Sequence, residues 1–141
     1  MAGPARVLFV EDEEYRNEKL IRYLTANGLE VVVAGTLATA VETVGGSRFG
    51  CVLLDIMLPL GEGENDVHDA LTAGVEFLRR LRGGQISGAD PVLPAVVLTG
   101  RPEASVEEEV QALGVAAFLN KPESMKVVLR TIFGAIEAYT P

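Results

Sequence analysis

The sequence predicts one doubly wound α/β domain, in which five helices cover a five-stranded parallel sheet. Three observations predict it. Short apolar runs alternate with segments of helical period along the whole chain, which is typical of strand–helix–strand units and of a parallel sheet. A length of 141 residues with 48% apolar side chains corresponds to about one domain with one core. At 23% charged residues, the chain is also too apolar to be disordered.

Apolar runs mark the five strands. The third run shows no alternation with polar residues, as expected for a central strand that is covered on both faces. Pro94 is compatible with the fourth strand because it lies just before it, where no ladder hydrogen bond is lost. The predicted strands are residues 7–10, 29–34, 51–54, 95–98 and 115–119.

Helical periodicity accounts for the segments that follow the strands. Glycine signals predict where three helices end: Asn27-Gly28 for the first, Gly45-Gly46 for the second and Gly114 for the fourth, which begins near residue 103. Pro122 is suited to the first turn of the fifth helix. The predicted apolar faces are Leu20, Ile21 and Leu24 in the first helix; Leu37, Ala40, Val41 and Val44 in the second, which Gly35-Thr36 opens; and Met125, Val128, Leu129, Ile132, Phe133 and Ile136 in the fifth.

The segment 60–73 breaks this regular alternation. It is rich in glycine and acidic residues, and it is longer than a usual connection between a strand and a helix. Two interpretations fit: an extended surface loop, or an early start of the third helix with Asp66 as its N-cap and a helical face that continues through Gly74. We favour a loop to about Asn65 followed by a lengthened helix.

Charge and cysteine content exclude several classes of function. Asp and Glu number 20 against 12 Lys and Arg, a net charge of −8, which argues against direct binding to nucleic acid or to an anionic membrane. No apolar run is long enough to span a membrane, and the first six residues lack the regions of a signal peptide. Cys51 is the single cysteine, so an internal disulfide is excluded, in keeping with a reducing compartment. We expect a cytoplasmic protein.

Carboxylates follow the first and third strands, which are neighbours in a sheet of strand order 2-1-3-4-5, the order we expect for this domain. Glu11 and Asp12 come after the first strand and Asp55 after the third, and ligand sites of open parallel sheets lie beyond these carboxyl ends. Two like charges about 4 Å apart repel by roughly 4 kcal/mol at an effective dielectric constant near 20. A bound divalent cation or a strongly raised pKa would relieve this repulsion. Oxygen ligands without His or Cys nearby favour a hard ion, Mg²⁺ first.

The remaining strand ends supply what phosphoryl transfer requires, namely a cation and a hydroxyl donor beside a metal. Asp55 is the candidate nucleophile, because a carboxylate can form an acyl phosphate. Lys121 after the fifth strand is the candidate cation, and Thr99 after the fourth is the candidate hydroxyl donor. Gly100 would keep side-chain bulk away from the phosphoryl group.

Four short motifs, each at the end of its own strand, resemble those of a known family. They are Phe9-Val10-Glu11-Asp12, Leu54-Asp55-Ile56-Met57-Leu58-Pro59, Leu98-Thr99-Gly100 and Asn120-Lys121-Pro122. Each motif alone is weak, but together and in this order they resemble the receiver domains of two-component response regulators. The resemblance covers nearly the whole chain, so residues 1–141 are expected to form one receiver domain with a flavodoxin-like fold.

The resemblance implies that Asp55 accepts a phosphoryl group from a sensor histidine kinase or a phosphotransfer protein. Thr99 and Lys121 would bind the phosphoryl oxygens. The implied ligands of Mg²⁺, for which Mn²⁺ is an expected substitute, are Glu11, Asp12, Asp55 and the backbone carbonyl of Met57.

The resemblance also implies a switch. Phe118 lies three residues before Lys121, at the place of the family's switch aromatic. It would turn inward as Thr99 moves towards the phosphoryl group, which would change the surface of the fourth helix, fifth strand and fifth helix. This surface is the expected contact for a downstream protein target and for a homodimer.

Several residues depart from the family's pattern. Glu11 stands where Asp is commoner, and Phe118 lacks the hydroxyl of the commoner tyrosine, so the switch would depend on packing alone. Met57 and Arg101, two residues beyond Asp55 and Thr99, occupy places that influence dephosphorylation in this family.

Two other functions remain open. A phosphatase of the haloacid dehalogenase type also uses an aspartyl nucleophile, but it needs a second acid where this chain has Met57. A pseudo-receiver would be an unphosphorylated interaction module, against which the intact Asp12, Asp55, Thr99 and Lys121 argue. We therefore expect a signalling module that catalyses only its own phosphorylation and dephosphorylation.

Overall fold

The computed structural model describes residues 5–11, 17–55, 67–100, 104–121 and 123–139. A five-stranded sheet lies at its centre, with strands in the order β2-β1-β3-β4-β5 and every neighbouring pair parallel. The predicted fold class and strand order are confirmed. The strands are β1 Ala5–Val10, β2 Leu29–Ala34, β3 Cys51–Leu54, β4 Ala95–Thr99 and β5 Ala117–Asn120.

Five helices connect and follow these strands in the described part of the chain. They are α1 Glu18–Ala26, α2 Leu37–Gly46, α3 Val67–Arg82, α4 Ala104–Leu113 and α5 Met125–Ala138. Two of the predicted glycine ends are confirmed, because Gly28 and Gly114 adopt φ of 99° and 94°, a left-handed backbone that glycine adopts without steric cost.

Alternate residues of the strands point into two separate core layers. Val7 and Phe9 of β1 pack in the α1/α5 layer, which takes its helical residues from α1 and α5. Leu8 and Val10 pack in the α2–α4 layer, with residues of α2, α3 and α4. All four residues of β3 are buried, so the predicted central strand is covered on both faces.

The early start of α3 decides between the two interpretations of the segment 60–73. The helix begins at Val67, directly after the predicted cap Asp66, which lies outside the described residues. An extended loop to residue 73 is therefore wrong, and the long connection ends at residue 66. Ala73, Phe77 and Leu81 are buried on one face of this helix, so the helical face continues through Gly74, as the second interpretation requires.

α2 ends at Gly46, as Gly45-Gly46 predicts, but both glycines belong to the helix and Ser47 is its C-cap. Gly45 instead permits a close approach between two backbones. A Cβ built at Gly45 would lie 2.4 Å from the carbonyl oxygen of Ser87, well inside van der Waals contact. The residue is small because α2 packs directly on the segment that follows α3.

The start of α5 also differs from the prediction. The helix begins at Met125 and not at Pro122, which lies outside the described residues, and Ser124 is the N-cap, whose hydroxyl accepts a hydrogen bond from the Val127 amide. A serine cap satisfies an amide that a proline start would leave open. The predicted apolar face is correct at its centre, with Val128 and Ile132 buried, but its margin at Met125 and Phe133 is exposed.

β5 begins two residues later than predicted, since strand pairing starts with Val96 opposite Ala117. The amide of Gly114 still donates to carbonyls of α4. The chain therefore needs Val115 as a connecting residue between the end of α4 and the first residue that pairs with β4.

Candidate functional site

Three buried polar side chains lie at the carboxyl ends of the central strands. Glu11 follows β1, Asp55 follows β3 and Thr99 ends β4, and they are 1%, 8% and 1% exposed. Within the described ranges, no other polar or charged residue is buried to this degree. Burying a carboxylate is costly unless a partner compensates its charge. Two buried carboxylates at one edge of the sheet therefore indicate a functional site.

Backbone hydrogen bonds extend the ladder of the sheet and place these side chains together. The Glu11 amide donates to the Ala34 carbonyl at 2.9 Å, and the Asp55 amide donates to the Val10 carbonyl at 2.9 Å. On the other side of β4, the Lys121 amide donates to the Thr99 carbonyl at 2.8 Å. Each residue is thereby held at the carboxyl edge by main-chain atoms, independently of its side chain.

Lys121 brings its ammonium group to both carboxylates. Its Nζ lies 3.2 Å from Oδ2 of Asp55 and 3.4 Å from Oε2 of Glu11, with the side chain 31% exposed. Burial opposes the charge on Lys121, but the carboxylates of Asp55 and Glu11 outweigh that effect and raise its pKa above the ordinary value. Lys121 is therefore charged at neutral pH and compensates part of the negative charge of the site.

The candidate switch residue lies next to the site on the edge strand. Phe118 of β5 is opposite Val97 of β4, and it packs, partly buried, against the α2–α4 layer that contains Val97 and Val110. The ring thus lies at the margin of this layer, between buried side chains and solvent.

The predicted metal ligands are described only in part. The structure brings Glu11 and Asp55 together, whereas Asp12 and the Met57 carbonyl lie outside the described residues, as does Arg101. Among the residues that are described, no group of three or more His, Cys, Asp or Glu side chains is arranged to hold a metal ion. The donors that are present fit Mg²⁺ chemically, because they are carboxylate oxygens, the ligands that hard cations prefer.

A cavity of about 270 Å³ opens beside Lys121, between the starts of α1 and α5. Leu98 and Met125 form apolar parts of its wall, and Lys19, Lys121 and Glu123 form polar parts. The sequence motifs did not indicate Lys19 or Glu123. Their positions in the sequence could have indicated them, because both lie at the starts of helices that begin at the same edge of the sheet as the site.

Comparison with known proteins identifies the family of this arrangement. The sequence profile described as "Response regulator receiver domain" matches residues 7–133. The chain belongs to the response regulator receiver domain family. The predicted resemblance is thereby confirmed.

Individual relatives of this receiver domain agree with that assignment. The chain is 32% identical over 140 residues to "Response regulator MprA" of Mycolicibacterium vanbaalenii, covering 98% of this chain and 53% of the relative. It therefore spans about half the length of the curated relatives that it matches. The receiver domain of HemR from Leptospira biflexa, described as non-phosphorylated, superposes with a TM-score of 0.76 at 26% identity, covering 97% of this chain and 98% of that one.

A third similarity supports the fold alone. The receiver domain protein from Methanospirillum hungatei, described as CheY-like, has a TM-score of 0.78 at 21% identity and covers 96% of this chain and 95% of its own.

In the portion of this receiver domain that the structure describes, no helix combines the length and apolar character needed to cross a membrane.

Proposed function

We propose that this receiver domain is the phosphoacceptor module of a two-component response regulator, and that Asp55 takes the phosphoryl group. A sensor histidine kinase or a phosphotransfer protein would donate it. The observation that carries the proposal is the contact of Lys121 with both Asp55 and Glu11, at 3.2 and 3.4 Å. This contact places a cation beside a candidate nucleophile at the sheet edge where ligands of such folds bind.

The proposed chemistry is an in-line transfer from phosphohistidine. An Asp55 carboxylate oxygen attacks phosphorus, the new O–P bond forms as the N–P bond breaks, and the departing imidazole nitrogen keeps the electron pair and takes up a proton. Lys121 and the Thr99 hydroxyl would offset charge on the phosphoryl oxygens. Attack of water on the acyl phosphate would later release inorganic phosphate and restore the carboxylate.

Mg²⁺, or Mn²⁺ as a substitute, would neutralise charge between the carboxylates and the phosphoryl oxygens when bound. The proposed ligands are Glu11, Asp12, Asp55 and the Met57 carbonyl. The burial of Glu11 supports its inclusion among the ligands, because a carboxylate that solvent barely reaches is not an ordinary surface charge.

The proposed output is a change of the surface formed by α4, β5 and α5. Phosphorylation adds about −1.5 to −2 charge and three strong acceptor oxygens, which attract Thr99 and Lys121 in one state more than in the other. Because Thr99 is continuous with the segment that leads into α4, its movement would displace the start of that helix and alter the packing of Phe118. A downstream protein target, and a second copy of the domain, are the partners we propose for this surface.

The remaining expectations follow from the same site. We propose a cytoplasmic module without direct contacts to nucleic acid or membrane, which acts on no other substrate. The experiment below also distinguishes two alternative functions. A pseudo-receiver would not become phosphorylated, and a phosphatase would turn over small phosphate esters.

The proposal is tested by incubation with acetyl phosphate and Mg²⁺, followed by intact-mass measurement. We expect one alkali-labile phosphoryl group on the wild type, none on Asp55→Asn, and wild-type behaviour for the control Asp90→Asn, which changes an aspartate away from the site. Absence of modification on the wild type, or equal modification of Asp55→Asn, would contradict the proposal, as would sustained hydrolysis of p-nitrophenyl phosphate.

A further inference from the structure

Arg82, the last residue of α3, joins two separate backbone segments. Its Nε donates to the Gly114 carbonyl at 3.0 Å, and its Nη1 donates to the carbonyls of Pro91 and Leu93, both at 2.8 Å. Burial lowers the pKa of Arg82, and the charge of Asp90 opposes this effect. A partly buried guanidinium that donates to three carbonyls is a specific bridge and not a solvated surface charge.

Gly114 is the residue that ends α4. Its amide donates to the carbonyls of Val110 and Gln111, and its φ of 94° is that of a left-handed helix cap. The bond from Arg82 therefore attaches the carboxyl end of α4 to α3. A cation is also favourable there, because carbonyl groups give the carboxyl end of a helix partial negative charge.

The same end of the molecule holds the last residue described after α5. The Tyr139 hydroxyl donates to Oδ2 of Asp90, one residue before Pro91. Segment 90–93 thus joins the carboxyl ends of α3 and α5, and Arg82 adds that of α4, at the edge of the sheet opposite the site. The amino end of α4, by contrast, follows Thr99 and Gly100 along the chain.

A second contact between α3 and α4 is weaker. Arg79 forms an ion pair with Glu109 of α4, but both side chains are largely exposed, and exposed ion pairs contribute little. Arg82 is therefore the stronger of these two polar attachments at the carboxyl end of α4, where Val110 and Leu113 also pack in the core, while the amino end follows the site along the chain.

We propose that Arg82 is a positioning residue that makes Gly114 the pivot of α4. Movement of Thr99 would then rotate the helix about its carboxyl end instead of shifting the whole helix. A displacement of about 1–2 Å at the free end of this ten-residue helix, which is roughly 15 Å long, corresponds to a rotation of roughly 4–8°. The inference rests on the proposed function, because the movement begins with a phosphoryl group on Asp55.

The experiment compares Arg82→Met with Arg80→Met, a control on the same helix whose arginine pairs with Glu76 of its own helix. Amide chemical-shift changes on addition of beryllium fluoride and Mg²⁺, a stable substitute for the phosphoryl group, are measured well below each variant's Tm. In the wild type and the control, we expect the changes to decrease from residues 104–107 to residues 110–113. In Arg82→Met, the changes at 110–113 should rise at least twofold relative to those at 104–107, with phosphorylation of Asp55 by acetyl phosphate retained.

A merely structural arginine would give a lower Tm and an unchanged profile, and that result would overturn the proposal. Should Arg82→Met not fold, the same profile measured on Arg82→Lys, which keeps the charge but not the two-sided bridge, decides the matter.

Failure of the proposed function would be recognised separately, by a wild type that responds neither to acetyl phosphate nor to beryllium fluoride. The attachment of the carboxyl end of α4 by Arg82, on which the pivot depends, is then judged on the unloaded protein by amide hydrogen exchange. Arg82→Met should increase exchange at residues 112–114 at least tenfold and leave residues 108–109 unchanged. Equal rates in Arg82→Met and Arg80→Met would reject the pivot.

Discussion

Two carboxylates with almost no access to solvent share the ammonium group of Lys121. Lys121 reaches Asp55 and Glu11 together, so its charge serves the folded state as well as the proposed phosphoryl transfer. The identities of these residues could be predicted from the sequence, because each follows an apolar strand. Their contact could not be predicted, because it depends on the length and direction of a lysine side chain that crosses the end of β4.

We predict that Lys121→Met destabilises the protein measurably in the absence of divalent cations. The substitution removes the Lys121 ammonium group from both carboxylates, and loss of charged hydrogen bonds of this kind costs about 1.5–3 kcal/mol. Urea unfolding in a chelating buffer measures the effect, with the exposed Lys126→Met of α5 as a control that should change stability by less than about 0.5 kcal/mol. Equal stability of the two variants would show that the bridge does not compensate the buried charges.

Tyr139 gives a second prediction for a single residue, one that depends on pH. Burial, together with the bond to Asp90, raises the pKa of Tyr139 to about 12, and the same bond lowers the pKa of Asp90. A raised pKa on a tyrosine favours its neutral form in the folded state. The contribution of this pair to stability is fully present below the ordinary tyrosine pKa of about 10. It is lost as pH rises through the pKa of Tyr139 in the folded protein.

Tyr139→Phe should therefore lower the free energy of unfolding slightly near neutral pH, because solvent screens this pair. The difference from wild type should shrink above pH of about 10, as the tyrosine ionises, and again below pH of about 4, as Asp90 becomes protonated. Urea unfolding of both proteins across this range isolates the pair, because other titrating groups are common to both. A difference that is constant with pH would indicate that the hydrogen bond contributes nothing.

At the scale of elements, glycine has two separate uses in this chain. Gly28 and Gly114 end helices, as their positions after apolar faces predict. Gly45 lies inside α2, where the carbonyl of Ser87 occupies the space that a side chain would need. The sequence contains no local signal that separates these uses, because the contact is made with a segment about forty residues away along the chain.

The neighbouring glycines of α2 provide a matched pair of substitutions. Gly45→Ala should destabilise the protein by about 1–3 kcal/mol, because its methyl group would overlap the backbone of the facing segment. Gly46→Ala should stabilise it by up to about 1 kcal/mol, since a Cβ there meets nothing within 4 Å and alanine is the better helix former. Thermal unfolding of the two variants measures the contrast, and similar Tm values would contradict the close approach.

Strand positions and helix ends differ in how far the sequence predicts them. The run 51–54 is apolar throughout and was predicted with its observed bounds, since a central strand must bury both faces. The start of α5 was predicted too early, at Pro122, because a proline signal and a serine cap compete within three residues. The residue at which such a helix begins depends on which backbone amide would be left without an acceptor, and the sequence pattern alone does not show this.

At the scale of the whole molecule, the parallel sheet separates the candidate site from the Arg82 bridge in space. Its carboxyl edge carries Glu11, Asp55, Thr99 and Lys121, and its amino edge joins the ends of three helices around Arg82 and Asp90. β4 connects the two edges, and its five residues span roughly 16 Å at about 3.3 Å per residue. The net charge of −8 has little to do with this division, which depends on a few carboxylates held by main-chain hydrogen bonds.

The measurement that tests the central claim most directly is the location of the phosphoryl group. After phosphorylation with acetyl phosphate and Mg²⁺, borohydride reduction of an aspartyl phosphate yields homoserine, which tandem mass spectrometry assigns to one position. We predict homoserine at position 55, in a yield that falls to background when Mg²⁺ is removed by a chelator. Homoserine at another aspartate, or none at position 55 under conditions that phosphorylate the protein, would contradict the account.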